Sequence, residues 1–220
     1  MTDLGFGITG IRPLANAAAP TLVFGLRMRS DAAVHAIVLR CQLQMEPRRR
    51  RHASEEQERL SDVFGTADRW PDTLRPIVWS QTTINVPAFE GTIELDLPIT
   101  CTYDFEVTSA KYLAALEGGE IPLRFLFSGT IFLKAPNGFL VQQIPWNKEA
   151  AYRMPVAAWR ELMDLYFPGA AWIRLRRETL GRLQRLRAVR GSASWDEVFE
   201  TMFLAEKENS KCEHSDGQSL

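Results

Sequence analysis

Histidine and cysteine are scarce, with three of each in 220 residues. Cys41, Cys101 and Cys212 lie far apart and form no C-x-x-C pair, which predicts a reduced, cytoplasmic protein. His35, His52 and His214 fall in different segments, so no local motif sets a histidine beside an acid for proton transfer. Neither sign of charge is in excess. Formal net charge is −1, and without a basic surplus nucleic acid is not an expected partner. No apolar run approaches the ~20 residues that cross a bilayer as a helix. The start of the chain lacks the basic and then apolar pattern of a signal peptide. G-x-S-x-G, H-E-x-x-H and P-loop motifs are missing, as are internal repeats. These gaps name no catalytic residue and predict neither a metal nor a cofactor.

What the chain has is alternation. In Ile121 to Lys134 every second residue is apolar or glycine: Ile121, Leu123, Phe125, Phe127, Gly129, Ile131, Leu133. A strand puts those side chains on one face, which another layer must cover. Ala135-Pro136-Asn137-Gly138 reads as a turn, and Phe139 to Trp146 as the returning strand of a hairpin. Leu22 to Arg29 and Val34 to Glu46 also alternate. Ser30-Asp31 between them predicts a turn and antiparallel pairing of the two. Cys41 lies on the apolar row and reads as a small buried hydrophobe. Ile77 to Val86 is a further strand, with Trp79 expected on the face opposite Ile84 and Val86.

Thr92 to Val107 alternates most cleanly, with Tyr103 and Phe105 on its apolar row. Pro98 cannot donate to a ladder, so this strand belongs at an edge or carries a bulge. Its polar row holds Glu94, Asp96, Asp104 and Glu106. Such a row could serve a metal or acid–base pair, but regular spacing on one face is also how a solvated edge is kept from aggregating. Gly5-Phe6-Gly7-Ile8-Thr9-Gly10 is formally G-x-G-x-x-G. A dinucleotide loop needs a strand before it and a helix after it, and Pro13 interrupts any helix there.

Arg48 to Arg51 precede His52 and the helix from Ser54, where Ser54 and Gln57 form a capping box. Acids follow the basic run at once, so local neutralisation is expected over a phosphate site. Ser109 to Glu117 is a short helix closed by glycines. Ala151 to Leu204 reads as helical, with Pro155 in a first turn and Trp159, Leu162 and Met163 on an apolar stripe. Trp172 and Ile173 pack after the break at Pro168-Gly169. Ser194 opens a last helix with a second capping box. The helix from Arg176 to Arg190 carries Arg176, Arg177, Arg182, Arg185, Arg187 and Arg190 against the single acid Glu178. Those six arginines are the candidate partner-binding residues. They could instead be absorbed by the acidic strand row. Cys212 and His214, in a polar tail, make a poor metal site.

The fold class expected is α+β: an antiparallel sheet or sandwich of about six strands with short inserted helices, then a C-terminal helical unit. The organisation is a flexible lead-in over 1–20, a β domain over 21–150, helices packed on the sheet over 151–206 and a disordered tail over 207–220.

The strings LRCQLQMEPRRRR, LPITCTYDFEVTSAKYL, IPLRFLFSGTIF, VQQIPWNKEAAYRMPVAAWRELMD and YFPGAAWIRLRRETL resemble an uncharacterised family of bacterial proteins. The likeness spans residues 21–204. Members look like neighbours of actinobacterial-type [NiFe] uptake hydrogenase genes. The resemblance implies an accessory role in hydrogenase biogenesis or function, with a hydrogenase subunit or maturation factor as partner. It implies no activity and no site residue. A non-catalytic binding protein is therefore the first expectation. A peptide-binding chaperone resembling the SecB type is the alternative. An enzyme comes third, and would require a pocket joining Glu94, Asp96 or Asp104 to His35 or His52.

Overall fold

The structure, a computed structural model, describes residues 2–102, 104, 107–135, 138–170 and 173–215, with side chains as far as 205. Among the described residues seven strands form a mostly antiparallel sheet and six α-helices accompany them, so the class is α+β. The strands are β1 (Leu4–Pro13), β2 (Thr21–Met45), β3 (Ile77–Val86), β4 (Phe89–Thr100), β5 (Glu120–Ala135), β6 (Gly138–Gln143) and β7 (Glu149–Pro155). The helices are α1 (Ser54–Phe64), α2 (Trp70–Thr73), α3 (Thr108–Ala115), α4 (Val156–Tyr166), α5 (Arg177–Arg190) and α6 (Trp195–Ser215).

β2 organises the whole. Its two alternating halves, expected as a hairpin, are one strand of 25 residues. Leu22 to Ser30 pairs with β1 on one side and β4 on the other. Ile37 to Met45 pairs with β3 and β5. Between the halves the register shifts, with His35 the extra residue opposite β5. The shift moves the buried row from Leu22, Phe24, Leu26 and Met28 to Ile37, Leu39, Cys41, Leu43 and Met45. A strand that changes sheets does so through such a bulge. Phe24 of the first half stands edge-on to Phe125 at 5.1 Å, Tyr152 at 6.0 Å and Trp79 at 6.5 Å. Phe6 of β1 stacks on Phe127 at 4.2 Å. The two halves of the ladder therefore face each other across one apolar core.

Bulges also explain a misplaced side chain. Leu43 pairs with Ser80 and Gln44 with Val78, so Trp79 is the extra residue of β3 and turns onto the core instead of away from it. β5 keeps the expected face: Ile121, Leu123, Phe125, Phe127, Ile131 and Leu133 are all buried. Gly129 is required there. Its φ is 139°, and a Cβ would sit 2.0 Å from the Val38 carbonyl oxygen.

Three expectations along the chain give way. Residues 1–20 contain β1, an edge strand, in place of a flexible lead-in. Residues 149–155 are β7, paired to β5, in place of a helix start, and Pro155 is the N-cap of α4. Residues 207–215, expected disordered, continue α6. The chain divides into two compact units, 1–173 and 174–220, so β7 and α4 go with the sheet and the division falls after them. α4 is fixed to the first unit by Tyr166, whose hydroxyl donates to Leu14 O (2.8 Å) and accepts from the Ala17 N–H (2.9 Å). Strand positions Tyr103 and Phe105, the acid Glu106, turn residues Pro136 and Asn137, and Trp172 lie outside the described residues.

Candidate functional site

The six candidate arginines lie on and beside α5, in the second unit. Their settings differ. Arg187 is used internally: it donates to Ser192 O (3.2 Å) and Ala193 O (2.6 Å) and covers the Trp195 ring at 5.0 Å. It ties the end of α5 to the start of α6, where Ser194 Oγ caps the Glu197 N–H as expected. Glu197 reaches back to the Ala193 N–H at 2.7 Å, one residue earlier than a capping box would place it. Arg185 donates along its own helix to Gly181 O. The side chains of Arg176, Arg177, Arg182 and Arg190 are exposed and show no hydrogen bond or ion pair among the described residues. Leu180 and Val189 are exposed on the same helix.

Two acids of the β4 row have partners within the first unit. Glu94 pairs with Arg27 of β2 at 2.7 Å, and Asp96 with Arg12 of β1 at 2.6 Å, both in the open. Asp104 follows β4, its N–H donating to Thr102 Oγ1. The histidines lie elsewhere. His35 stacks on Phe139 at 4.3 Å. His52 Nε2 lies 3.3 Å from the Tyr112 hydroxyl, with Trp70 edge-on at 5.2 Å. The acid–histidine convergence that enzymatic proton transfer would need is not formed by these groups. No group of three or more His, Cys, Asp or Glu at metal-binding distance occurs among the described residues. The side chains of Cys212 and His214 are outside them.

The G-x-G-x-x-G string forms part of β1, so it has no strand–loop–helix context for a dinucleotide. Its glycines do leave the sheet bare. Gly5, Phe6, Gly7, Arg27, Arg29 and Thr92 line an open hollow of about 500 Å³ on the outer face. Neither His35 nor His52 enters it.

Two of the four arginines of the run, Arg49 and Arg50, are built into the fold, and Arg48 and Arg51 are exposed. Arg49 pairs with the buried Glu46 at 2.8 Å, and Arg124 of β5 reaches the same carboxylate at 2.7 Å. Arg50 donates to both oxygens of buried Glu56 at 2.8 and 2.9 Å. Glu56 also accepts from the Ala53 and Glu117 N–H groups, joining the start of α1 to the end of α3. Ala53, not Ser54, is the N-cap of α1, and Gln57 donates to His52 O. Burial, then the Arg50 charge, lowers the His52 pKa, with Glu56 opposing. Burial pushes the Tyr112 hydroxyl up, and holds Cys41 and Cys101 at about 12, which disfavours their thiolate forms at neutral pH.

One surface escaped the sequence. β6 pairs with β5 alone, and its other edge is open among the described residues. Phe139, Leu140 and Val141 are 59%, 51% and 55% exposed. Three adjacent apolar residues on a strand occupy both faces, so neither face of β6 is fully covered. The returning strand was legible, but its exposure was not, because alternation cannot show where a covering layer stops.

Residues 1–211 match a family of unknown function, DUF6084. The chain belongs to that family. No curated protein matches it. Solved structures similar to the DUF6084 chain include the CARDB domain of a Pyrococcus furiosus protein in complex with di-metal ions, at TM-score 0.28 and 11% identity over 70% of this chain and 91% of that one. A putative late embryogenesis abundant protein gives TM-score 0.31 and 10% identity over 70% of each chain. A beta-glucosidase from Kluyveromyces marxianus gives TM-score 0.25 and 8% identity over 70% of this chain, which spans only 15% of that enzyme. At these scores the likenesses say nothing of what the chain binds.

Proposed function

We propose that this DUF6084 chain is a non-catalytic, cytoplasmic accessory protein that binds an acidic protein partner through α5. The observation that carries the reading is the set Arg176, Arg177, Arg182 and Arg190, whose exposed side chains outnumber Glu178, the acid of α5, beside exposed Leu180 and Val189. A solvated helix mixes signs at i,i+4; of these four only Arg182 has an acid at that spacing, Glu178, and Arg176, Arg177 and Arg190 have none. Charge complementarity of this kind raises association rate and specificity, and the apolar side chains supply contact. The resemblance to neighbours of [NiFe] uptake hydrogenase genes directs the choice of partner to a hydrogenase subunit or a maturation factor.

The test is affinity capture of the tagged chain from its host, with the co-eluting protein identified and then purified. Reversing Arg182 and Arg185 to Glu should weaken its capture by on the order of tenfold at low salt, and less at high salt, with cooperative unfolding retained. Unchanged capture by a folded variant removes α5 from the interface. The second reading, a peptide-binding chaperone resembling the SecB type, draws on the open edge of β6, where an extended client could add as a strand.

A further inference from the structure

We infer that the open edge of β6 is an interface between two copies of this chain, paired antiparallel about a two-fold axis at Leu140. It goes beyond the proposed role of α5 and does not depend on it.

A free sheet edge is usually blunted by lysine, proline, a bulge or a cover. Within Gly138–Gln143 the sequence GFLVQQ has no lysine, proline or bulge, the ladder to β5 is regular throughout, and the Thr2 N–H that reaches β6 donates to the Gln142 side chain (Oε1, 3.1 Å) and not to its main chain. The alternation of that ladder fixes which main-chain groups are free. Ile144 N–H donates to Gly129 O at 2.9 Å, so Ile144, Gln142 and Leu140 turn their main-chain groups towards β5. Phe139, Val141 and Gln143 then turn theirs to the open edge.

The occupant follows from self-complementarity. β6 carries no charge, so it neither repels its own copy nor selects a basic or acidic strand. A two-fold axis normal to the sheet keeps each face on its own side, so like parities must pair. Centred on Leu140, the pairing sets Leu140 against Leu140 and Phe139 against Val141, twice. Every exposed apolar side chain of the strand then meets an apolar one on the same face. The outward groups of Phe139 and Val141 supply the inter-chain hydrogen bonds. A contact of about five residues per chain is small beside the 1,200–2,000 Å² typical of stable complexes, so a dimer that dissociates on dilution is expected.

The geometry gives a sharp test on the full-length chain. Leu140 would sit in a non-hydrogen-bonded pair, with Cα atoms about 4.5 Å apart, within disulfide reach. In a Cys212→Ser background, Leu140→Cys should cross-link into a covalent dimer under mild oxidation, and Gln143→Cys should not. Sedimentation equilibrium should show a concentration-dependent dimer for the unaltered chain. Leu140→Lys and Leu140→Glu, both at a solvent-exposed position, should each weaken it by roughly tenfold or more through like-charge contact. Mixing the two variants should restore it. A chain that stays monomeric at high concentration overturns the inference, as does a dimer indifferent to Leu140→Lys. Failure of the mixture to recover overturns the Leu140 register. An extended peptide bound at β6 of a monomeric chain would assign the edge to a client instead.

Discussion

Burial and the Arg50 charge hold His52 below its ordinary pKa near 6.5, so the folded protein keeps it neutral where the unfolded chain would protonate it. The unfolded state then binds more protons as pH falls, and stability falls with it, from about the ordinary value down through the folded one. The thermal midpoint should drop between about pH 7 and pH 5, and His52→Gln should flatten that part of the profile. An equal slope in the variant would place the acid sensitivity elsewhere. Phe125, fully buried against Phe24 and Phe127, gives the simplest stability test. Phe125→Ala should cost about 3–5 kcal/mol in denaturant unfolding, and a loss under about 1 kcal/mol would remove it from the core. The placement of Phe125 was legible from alternation alone. That of Trp79 was not, because one extra residue in β3 reverses its face and leaves no mark in composition.

At the scale of elements, β2 is the member most enclosed, since strands lie on both sides of each half. Amide exchange reports opening free energy, and enclosed ladders open last. Amides of Leu22 to Met28 and Ile37 to Met45 should be the slowest to exchange, with those of β6 faster by orders of magnitude. Comparable rates in β2 and β6 would contradict the arrangement. The halves of β2, and β3, β4 and β5, could each be read from period two. Their union could not: Ser30-Asp31 has the chemistry of a turn, and only the partners on either side show that the chain runs on. β7 escaped because its buried Ala150 and Met154 flank a half-exposed Tyr152, too weak an alternation to outweigh the helical stripe of α4 beyond it. Of the candidate site, the arginine excess on α5 was plain in the sequence. Which of those arginines are spent internally, as Arg187 is, depended on the α5–α6 connection.

For the whole molecule, most ladders join segments distant in the chain: Thr21 pairs with Thr100, and Met45 with Leu123. Fold class was readable because strands precede helices; the division after Ile173 was not, since the step from β7 to α4 does not end the compact unit. The order of the strands has a consequence for how the protein is made. β2 leaves the ribosome with β1 alone to pair with, and its remaining neighbours are incomplete until Ala135 has been added. At 5–20 residues per second that wait is on the order of 5–20 s. Until β5 is complete, Ile37 to Met45 keeps at least one unsatisfied edge, and part of the greasy face of β2 stays open to the cell. Synthesis of this chain should therefore depend on holding factors at the ribosome exit, and slowing translation between Met45 and Ala135 should lower the yield of folded protein more than slowing it after Ile173.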